Sequence, residues 1–519
     1  MMCNSSQKHN QPTIANCVFP KRHTQFAILI SFFLFPILTA CNTQPTDLLI
    51  KAGLITPTPT PDPFYPYRAS LQLWAGGDIA ALPAPPQYQI AAQLNPTTNT
   101  LTGALQLTLP KLGSELVFRL YPNLANYGGS SQITTALING APAQIAPLAD
   151  GAAFSLALPA TSGPDPIQIN LTFTTQLPGQ RGLDAGDYTL FGWDGVVLSL
   201  PGFYPSLAVR QGSEWVLDAP PPHGDVLFSE VALYQLDLTL PRELVVIASG
   251  VTLNVTDQPD GNRTWHIAGG PLRDMTVLAG PFLAVSESAA GATVTSYYLP
   301  GHQTAGQTVL AHATAALRLY SDLYGPYPYT ELDVVEAPLN VRGMEYSGLT
   351  LIGEDLYQAQ AESLRSQLTF LVAHEVAHQW WYGMVGNNPY QHPWLDEGLT
   401  EYSAFEYYQG IFGSSEAERL LTGRWLIPFE VATGGGIDGL VDRPAAEFDP
   451  ASYELLVYTK AALFFHALRQ QLGEAMYRQV LQTYYSENRY RIATPQTFLV
   501  TAQRVSGQNL NPLAEKWLQ

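Results

Sequence analysis

Beyond residue 41 the chain contains no cysteine; its three, Cys3, Cys17 and Cys41, all lie before or at that point. Disulfides, thiolate metal ligands and thiol nucleophiles are thereby excluded from everything that follows, and the fold must rely on its core and any metal. Charge is scarce as well: Asp, Glu, Lys and Arg make up 13% of the chain, with 25 basic against 43 acidic residues and a formal charge of −18. Without a basic face a general nucleic-acid binder is excluded, while an acidic surface mildly favours cationic partners and keeps the chain soluble. There is no convincing internal repeat. What is abundant is apolar side chain, 46% over 519 residues, which indicates a globular chain too long for one ordinary core and so two or more domains.

Lys21, Arg22 and His23 precede the apolar run Phe26 to Leu38. Thirteen residues are too few to span a bilayer, which takes about 20, but suit a signal-peptide core. The run ends in Leu38-Thr39-Ala40-Cys41, which resembles the bacterial lipobox. That resemblance implies cleavage before Cys41, acylation of its thiol, and a lipid-anchored protein on the extracytoplasmic side of a membrane. A plain secretory signal or an uncleaved anchor are the alternatives, and both keep the protein outside the cytoplasm. The expected organisation begins with a signal peptide at 1–40 and a tether at 41–64, whose "TPTPTPDPF" favours an extended spacer.

From Tyr65 to about residue 290 short alternating runs such as "YQIAAQLN", "GALQLTLP" and "IQINLTFTT" are separated by Gly, Pro and Asn, the pattern of a β-sandwich or saddle-shaped sheet domain. The period then changes. Residues 291–519 predict an α+β domain dominated by helices, among them Ala361–Tyr382, Glu397–Ile411, Ser415–Leu426, Tyr453–Leu472, Glu474–Tyr485 and Pro495–Val505. The expected fold is thus multidomain α+β, β-rich first and mostly helical second.

Within the second half, "LVAHEVAHQWW" puts His374 and His378 four apart, on one helical face, with Glu375 beside the first. Two ligands and an adjacent base are what a zinc hydrolase needs, although two histidines satisfied inside a core helix give the same short pattern. "HPWLDEGLTEY" adds Glu397 as a third ligand, leaving a fourth position open as a catalytic site requires. Glu401, four residues on, can orient a ligand histidine or be a solvated acid. His392 and His466 have no motif partner and are read as structural.

These residues resemble the gluzincin peptidases, with a thermolysin-like catalytic domain. More closely they resemble the M1 aminopeptidases, whose pattern is HExxH, eighteen residues, then a glutamate in "WLNEG". "VRGMEYSG" is similar to that family's "GxMEN" edge strand, and "YELLVYTKAALFFHALR" to its "YxKG" helix. The resemblance implies one Zn2+ per chain held by His374, His378 and Glu397, Glu375 as general base, Tyr458 as oxyanion donor (with Tyr453 the substitute candidate), and Glu345 as the anchor of a peptide's free amino terminus. Arg342 stands where the family has a glycine and Tyr346 where it has asparagine, and no second amine-holding residue is assignable. Gln519 comes soon after the catalytic domain should close, so the family's C-terminal helical domain is expected to be missing. The expected function is an aminopeptidase acting on peptides. A zinc endopeptidase or other zinc hydrolase on the same scaffold is the alternative, and a catalytically silent surface-binding protein a third reading.

Overall fold

The computed structural model describes residues 62–519 except 126, 160–164, 180–190, 222, 340 and 359–361, and for residues 362–366 the backbone alone. The expected signal peptide, Cys41 and the tether up to residue 61 lie outside the described residues. Among the described residues no helix is long and apolar enough to cross a membrane.

The first half is sheet, as its alternation predicts. Eight strands pair in the order Val251–Asp257, Asn262–Leu272, Ala232–Pro241, Gln87–Asn95, Thr100–Leu109, Ile167–Gln176, Ser130–Ile138 and Ala141–Pro142. In the strand Ile167–Gln176, Ile167, Ile169, Leu171 and Phe173 are buried while Thr172 and Gln176 are exposed, the two-residue period of a sheet with one covered face. Two four-stranded sheets and the short hairpin of Arg210–Gln211 and Glu214–Trp215 accompany it among the described residues. The central strands of those two sheets, Glu115–Arg119 with Ala153–Ala157 and Val277–Gly280 with Leu198–Ser199, bury Leu116, Phe118, Leu156 and Leu278. Gly103 pairs with Phe173 across two adjacent strands; a Cβ there would run into the Phe173 ring, so the ring lies flat over a backbone that only glycine leaves open.

The second half begins earlier than expected. Leu283–Ala289 and Ala292–Tyr298 form a hairpin, so a boundary at 290 falls in its turn. Both strands belong to a five-stranded sheet that continues with Glu331–Ala337 and Leu349–Gly353 and ends on Gly343–Tyr346 as an edge strand. The helix Gln303–Leu323 connects two parallel strands of this sheet, an ordinary crossover. Glu362–Ala377 and Trp394–Phe412 pack with it. Tyr320 fixes the three together: its hydroxyl lies 3.0 Å from the carbonyls of both Ala373 and Ser403. One apolar core runs through both halves, and residues 62–519 form one compact unit.

The helices differ from expectation in their ends, their regularity and their number. The HExxH helix stops at Ala377, not Tyr382. Beyond it, bonds from Gly383, Met384 and Val385 N–H to the carbonyls of His378, Gln379 and Trp380 widen the turn, and Tyr382 takes φ 95°. Continued burial of Trp380, Trp381 and Met384 keeps the apolar pattern going after the helix has ended, which is why the sequence overextends it. Leu421–Leu426 and Glu454–Lys460 are π-helical turns within longer helical runs, and Asn511–Leu518, beyond the last expected helix, is a helix as well.

Gly103→Ala should lower stability by about 1–3 kcal/mol through overpacking against Phe173, read as a lower urea midpoint. Adding Phe173→Leu should recover part of the loss; an unchanged midpoint in the single variant would show that the ring has room.

Candidate active site

The two histidines share one face of the helix Glu362–Ala377 and its first unwound residue, and Glu397 approaches from the first turn of Trp394–Phe412. His374 Nε2 and His378 Nε2 lie 3.2 Å apart, and Glu397 Oε2 lies 3.3 Å and 3.4 Å from them. Ligands about 2.0–2.1 Å from a tetrahedral zinc stand about 3.3–3.4 Å from each other, so the three atoms already have the spacing of three corners. Glu397 Oε2 is buried and receives no hydrogen bond in the structure. Donor set, spacing and this unpartnered oxygen all fit a zinc ion.

The surroundings determine which imidazole nitrogen is free to face a metal ion. His378 Nδ1 is 3.0 Å from the Trp381 carbonyl, which can only accept, so Nδ1 carries the proton and the Nε2 lone pair is left for a metal. The early end of the helix is what turns that carbonyl inward. Thr400 Oγ1 lies 3.2 Å from the same nitrogen. His374 Nδ1 is 3.2 Å from Glu401 Oε2. Glu401 is therefore not a solvated acid: it is 1% exposed and accepts hydrogen bonds from Arg424 Nε at 2.5 Å and Trp425 Nε1 at 2.8 Å. Burial works to raise its pKa, but Arg424 and His374 outweigh it and hold the carboxylate at about 2. Burial likewise opposes charge on His374, yet Glu397 and Glu401 push its pKa up to about 10.

Glu375 points into the same space. Burial raises its pKa to about 7 against the pull of His374 and His378, and its Oε2 has no hydrogen-bond partner. Gly343, the first residue of the edge strand, packs directly on this carboxylate; a Cβ there would coincide with Oε1. The residue that must be glycine is thus Gly343. Arg342, the departure from the resembled motif, turns outward to Asp355 at 3.3 Å and to Gln367, leaving the groove unchanged. Glu345, two residues along the strand, is 6% exposed, and its carboxyl oxygen lies within 4.8 Å of ligand atoms of both Glu375 and His378. Burial first, then Asp225 and Glu375, drive its pKa well above the usual range. The tyrosine ambiguity is resolved by direction: Tyr458 donates to Glu397 Oε1 at 2.7 Å, whereas Tyr453 turns its hydroxyl to Gly224. His392 and His466 are engaged elsewhere, with Asp442 at 2.7 Å and with Gln470 and Tyr402.

Sequence reasoning missed three supports. Gln379 accepts from Gly348 N–H at 2.8 Å and donates to the Tyr346 carbonyl at 2.9 Å, clamping the edge strand to the end of the metal-binding helix. Arg424 comes from the π-helical turn Leu421–Leu426. Asp225 comes from the β-rich half and is hydrogen-bonded to Glu345. No local motif marks any of them. Asp396 stands where the resembled motif has asparagine; it is buried, accepts from Asn387 Nδ2 at 2.8 Å, and has a pKa raised well above normal by burial and by Asp225.

Comparison with known proteins agrees with this geometry. Residues 309–517 match the Peptidase family M1 domain. Aminopeptidase M1-B of Oryza sativa subsp. japonica is 26% identical over 304 residues, covering 55% of this chain and 34% of its own. The puromycin-sensitive aminopeptidase of Caenorhabditis elegans is 24% identical over 389 residues, 70% of this chain and 39% of its own. The chain thus spans little more than a third of the length of these relatives. The fold is also that of an M1 zinc metallopeptidase from Deinococcus radiodurans, with TM-score 0.61 at 19% identity, covering 84% of this chain and 94% of that one. That family implies zinc. The expectation of a sheet-rich domain followed by a mostly helical one is borne out.

Glu401→Gln removes the charge that backs His374 and should weaken zinc binding about 10–100-fold, measured by competition with a chromophoric chelator. Zinc affinity equal to the parent's would reduce Glu401 to a packing role.

Proposed function

We propose that the protein is a zinc aminopeptidase that removes residues from the free amino termini of peptides, with one zinc per chain. The observation that carries this reading is the placement of a buried carboxylate, Glu345, on an edge strand within 4.8 Å of the Glu375 and His378 ligand atoms. An ammonium held there would set the first peptide bond over the metal position and nothing further along the chain. A substrate-bound structural neighbour, the Deinococcus enzyme variant solved with Tyr-Ser-Ala, supports peptides as the substrate class.

His374, His378 and Glu397 would hold the ion. Bound there, zinc supplies a Lewis acid for the scissile carbonyl and acidifies a water molecule. Glu375, unpartnered at Oε2, takes the proton of the attacking water as the new C–O bond forms. It then returns that proton to the departing amine as the C–N bond breaks, and a pKa near 7 suits both directions. Tyr458, 2.7 Å from Glu397, has its hydroxyl at the rim of the metal position, where it donates to the carbonyl oxygen as negative charge develops. Gly343 keeps the edge strand close enough to Glu375 to exclude bulk water on that side.

His378→Ala should lose both zinc, by atomic absorption, and activity. Glu375→Gln should keep zinc and lose turnover, since an amide takes no proton. Tyr458→Phe should lower kcat with little change in KM, by about 2.7–4 kcal/mol in barrier. Aminoacyl fluorogenic substrates should be cut in a chelator-sensitive way and their N-acetylated counterparts spared. Equal turnover of the two sets would replace the aminopeptidase reading with a broader zinc hydrolase.

The proposal includes location. The Leu38–Cys41 stretch supports acylation at Cys41 and an extracytoplasmic enzyme tethered to a membrane. Cys41→Ser should release the protein from the detergent phase, because it removes the thiol whose acylation would supply the membrane attachment. Unchanged detergent partitioning would indicate an uncleaved apolar anchor.

A further inference from the structure

We infer that a cavity on the seam between the two halves, apart from the metal position, is a second binding site that takes an apolar molecule carrying a carboxylate. Its volume is 740 Å³, within the roughly 300–1,000 Å³ of ordinary ligand sites. No residue assigned above to the metal or to the peptide lines it. What marks it is charge left over. Arg489 is paired with Asp78 at 2.8 Å, Glu487 with Arg504, and Glu230 lies in the field of Arg273. Arg210 and Arg491, one from each half, also line the cavity and are not answered. Arg210 Cζ lies 5.8 Å from the centre of the Trp215 ring, and its Nε is buried without a hydrogen-bond partner. Among the described residues neither arginine forms an ion pair. A guanidinium fork matches an oxyanion of this kind, and stacking on an indole leaves its donors free.

The rest of the lining decides the body of the ligand. Leu82, Leu112, Leu207 and Trp215 stand half-buried on the walls, so an apolar body gains by entering and a polar one loses its water without return. A fork accepts phosphate as readily as carboxylate, but a doubly charged head costs more to desolvate here. The walls are also preset. Arg119, which is buried, donates to the carbonyls of Val216 at 3.0 Å and Asp218 at 2.7 Å. That fixes the foot of the hairpin of Arg210–Gln211 and Glu214–Trp215, while Gly212, at φ 61°, turns its tip. Arg273 donates to the carbonyls of Ser229 at 3.0 Å and Arg491 at 2.8 Å, which ties the wall together across the seam. Pro83, Pro85 and Pro86 stiffen another part of it by fixing φ. A ligand therefore meets groups that are already ordered. A peptide's C-terminal carboxylate and a free fatty acid share the required chemistry.

The test is calorimetric titration of the full-length zinc enzyme with L-leucine hydroxamate present in excess, which serves only to occupy the metal position. N-acetyl-Leu-Phe and octanoate are each compared with their uncharged amides. At least one acid should bind about ten- to a hundredfold more tightly than its amide, the size expected for a charge-assisted contact. Whichever acid binds more tightly names the source, peptide or acyl chain. Arg210→Met should bring acid and amide to within about twofold of each other. Arg491→Gln, a change on an exposed side chain, should narrow the gap about tenfold, and it decides alone should the methionine variant not fold. The inference is overturned if neither acid binds, if acid and amide bind equally, if phenyl phosphate binds more tightly than both acids, or if the preference survives both substitutions.

Discussion

A carboxyl group taken out of water raises the free energy of a fold unless a positive charge or a set of hydrogen bonds meets it. Among the described residues six of them, Asp225, Glu345, Glu375, Asp396, Glu397 and Glu401, are buried around two imidazoles. Much of the surrounding architecture can be read as a response to that concentration. Arg424 and Trp425 neutralise and pin Glu401, which in turn backs His374. Asn387 takes one oxygen of Asp396. Among the described residues no basic side chain pairs with Asp225, Glu345 or Glu375. On the proposed reading that deficit is met from outside the chain, by a divalent ion at one end of the cleft and a substrate ammonium at the other.

Such a cluster is useful only if its members cannot drift, and tyrosine hydroxyls provide much of the bracing. Tyr320 joins the carbonyls of two helices, and Tyr324 reaches Ser403 and Glu406 at 2.8 Å and 2.6 Å. Tyr121, Tyr382 and Tyr390 hold the loop of the β-rich half. Each places a large apolar ring in the core and a single donor at a chosen carbonyl. The acids are thus held by groups that add no further charge to the interior.

What the sequence revealed of the site was whatever lies close together along the chain. His374, Glu375, His378 and Glu397 sit within two consecutive helices, so spacing alone brings three ligand atoms to within 3.4 Å of one another. Tyr458 was separable from Tyr453 only by its place in a short motif, and the structure separates them by direction. Asp225 was invisible because it lies 120 residues before Glu345 in sequence and belongs to a different sheet-bearing half; no periodicity encodes such a meeting. The end of the HExxH helix was hidden for the opposite reason. Trp380, Trp381 and Met384 are fully buried, so apolar spacing continues smoothly through a point where the backbone has already left the helix. Arg342 looked like a change in the groove, but its side chain leaves on the solvent side, a matter of strand facing that one residue's identity cannot show.

The hairpin of Leu283–Ala289 and Ala292–Tyr298 stands between the two halves without separating them. A fragment begun at its turn would present Ala292–Tyr298, with the buried Val294, Ser296 and Tyr298, as a bare sheet edge open to pairing with other chains. The same fragment would leave behind the loop of Asp225 and the hydroxyl contacts on Tyr382 and Tyr390. In evolutionary terms the halves are poor candidates for shuffling: the helical half joined to a foreign sheet domain would keep His374, His378 and Glu397 and lose the contacts that the β-rich half makes beside them. Divergence in such a protein should proceed by paired change across the seam, a substitution at residues 223 to 228 answered by one at 382, 390 or 453.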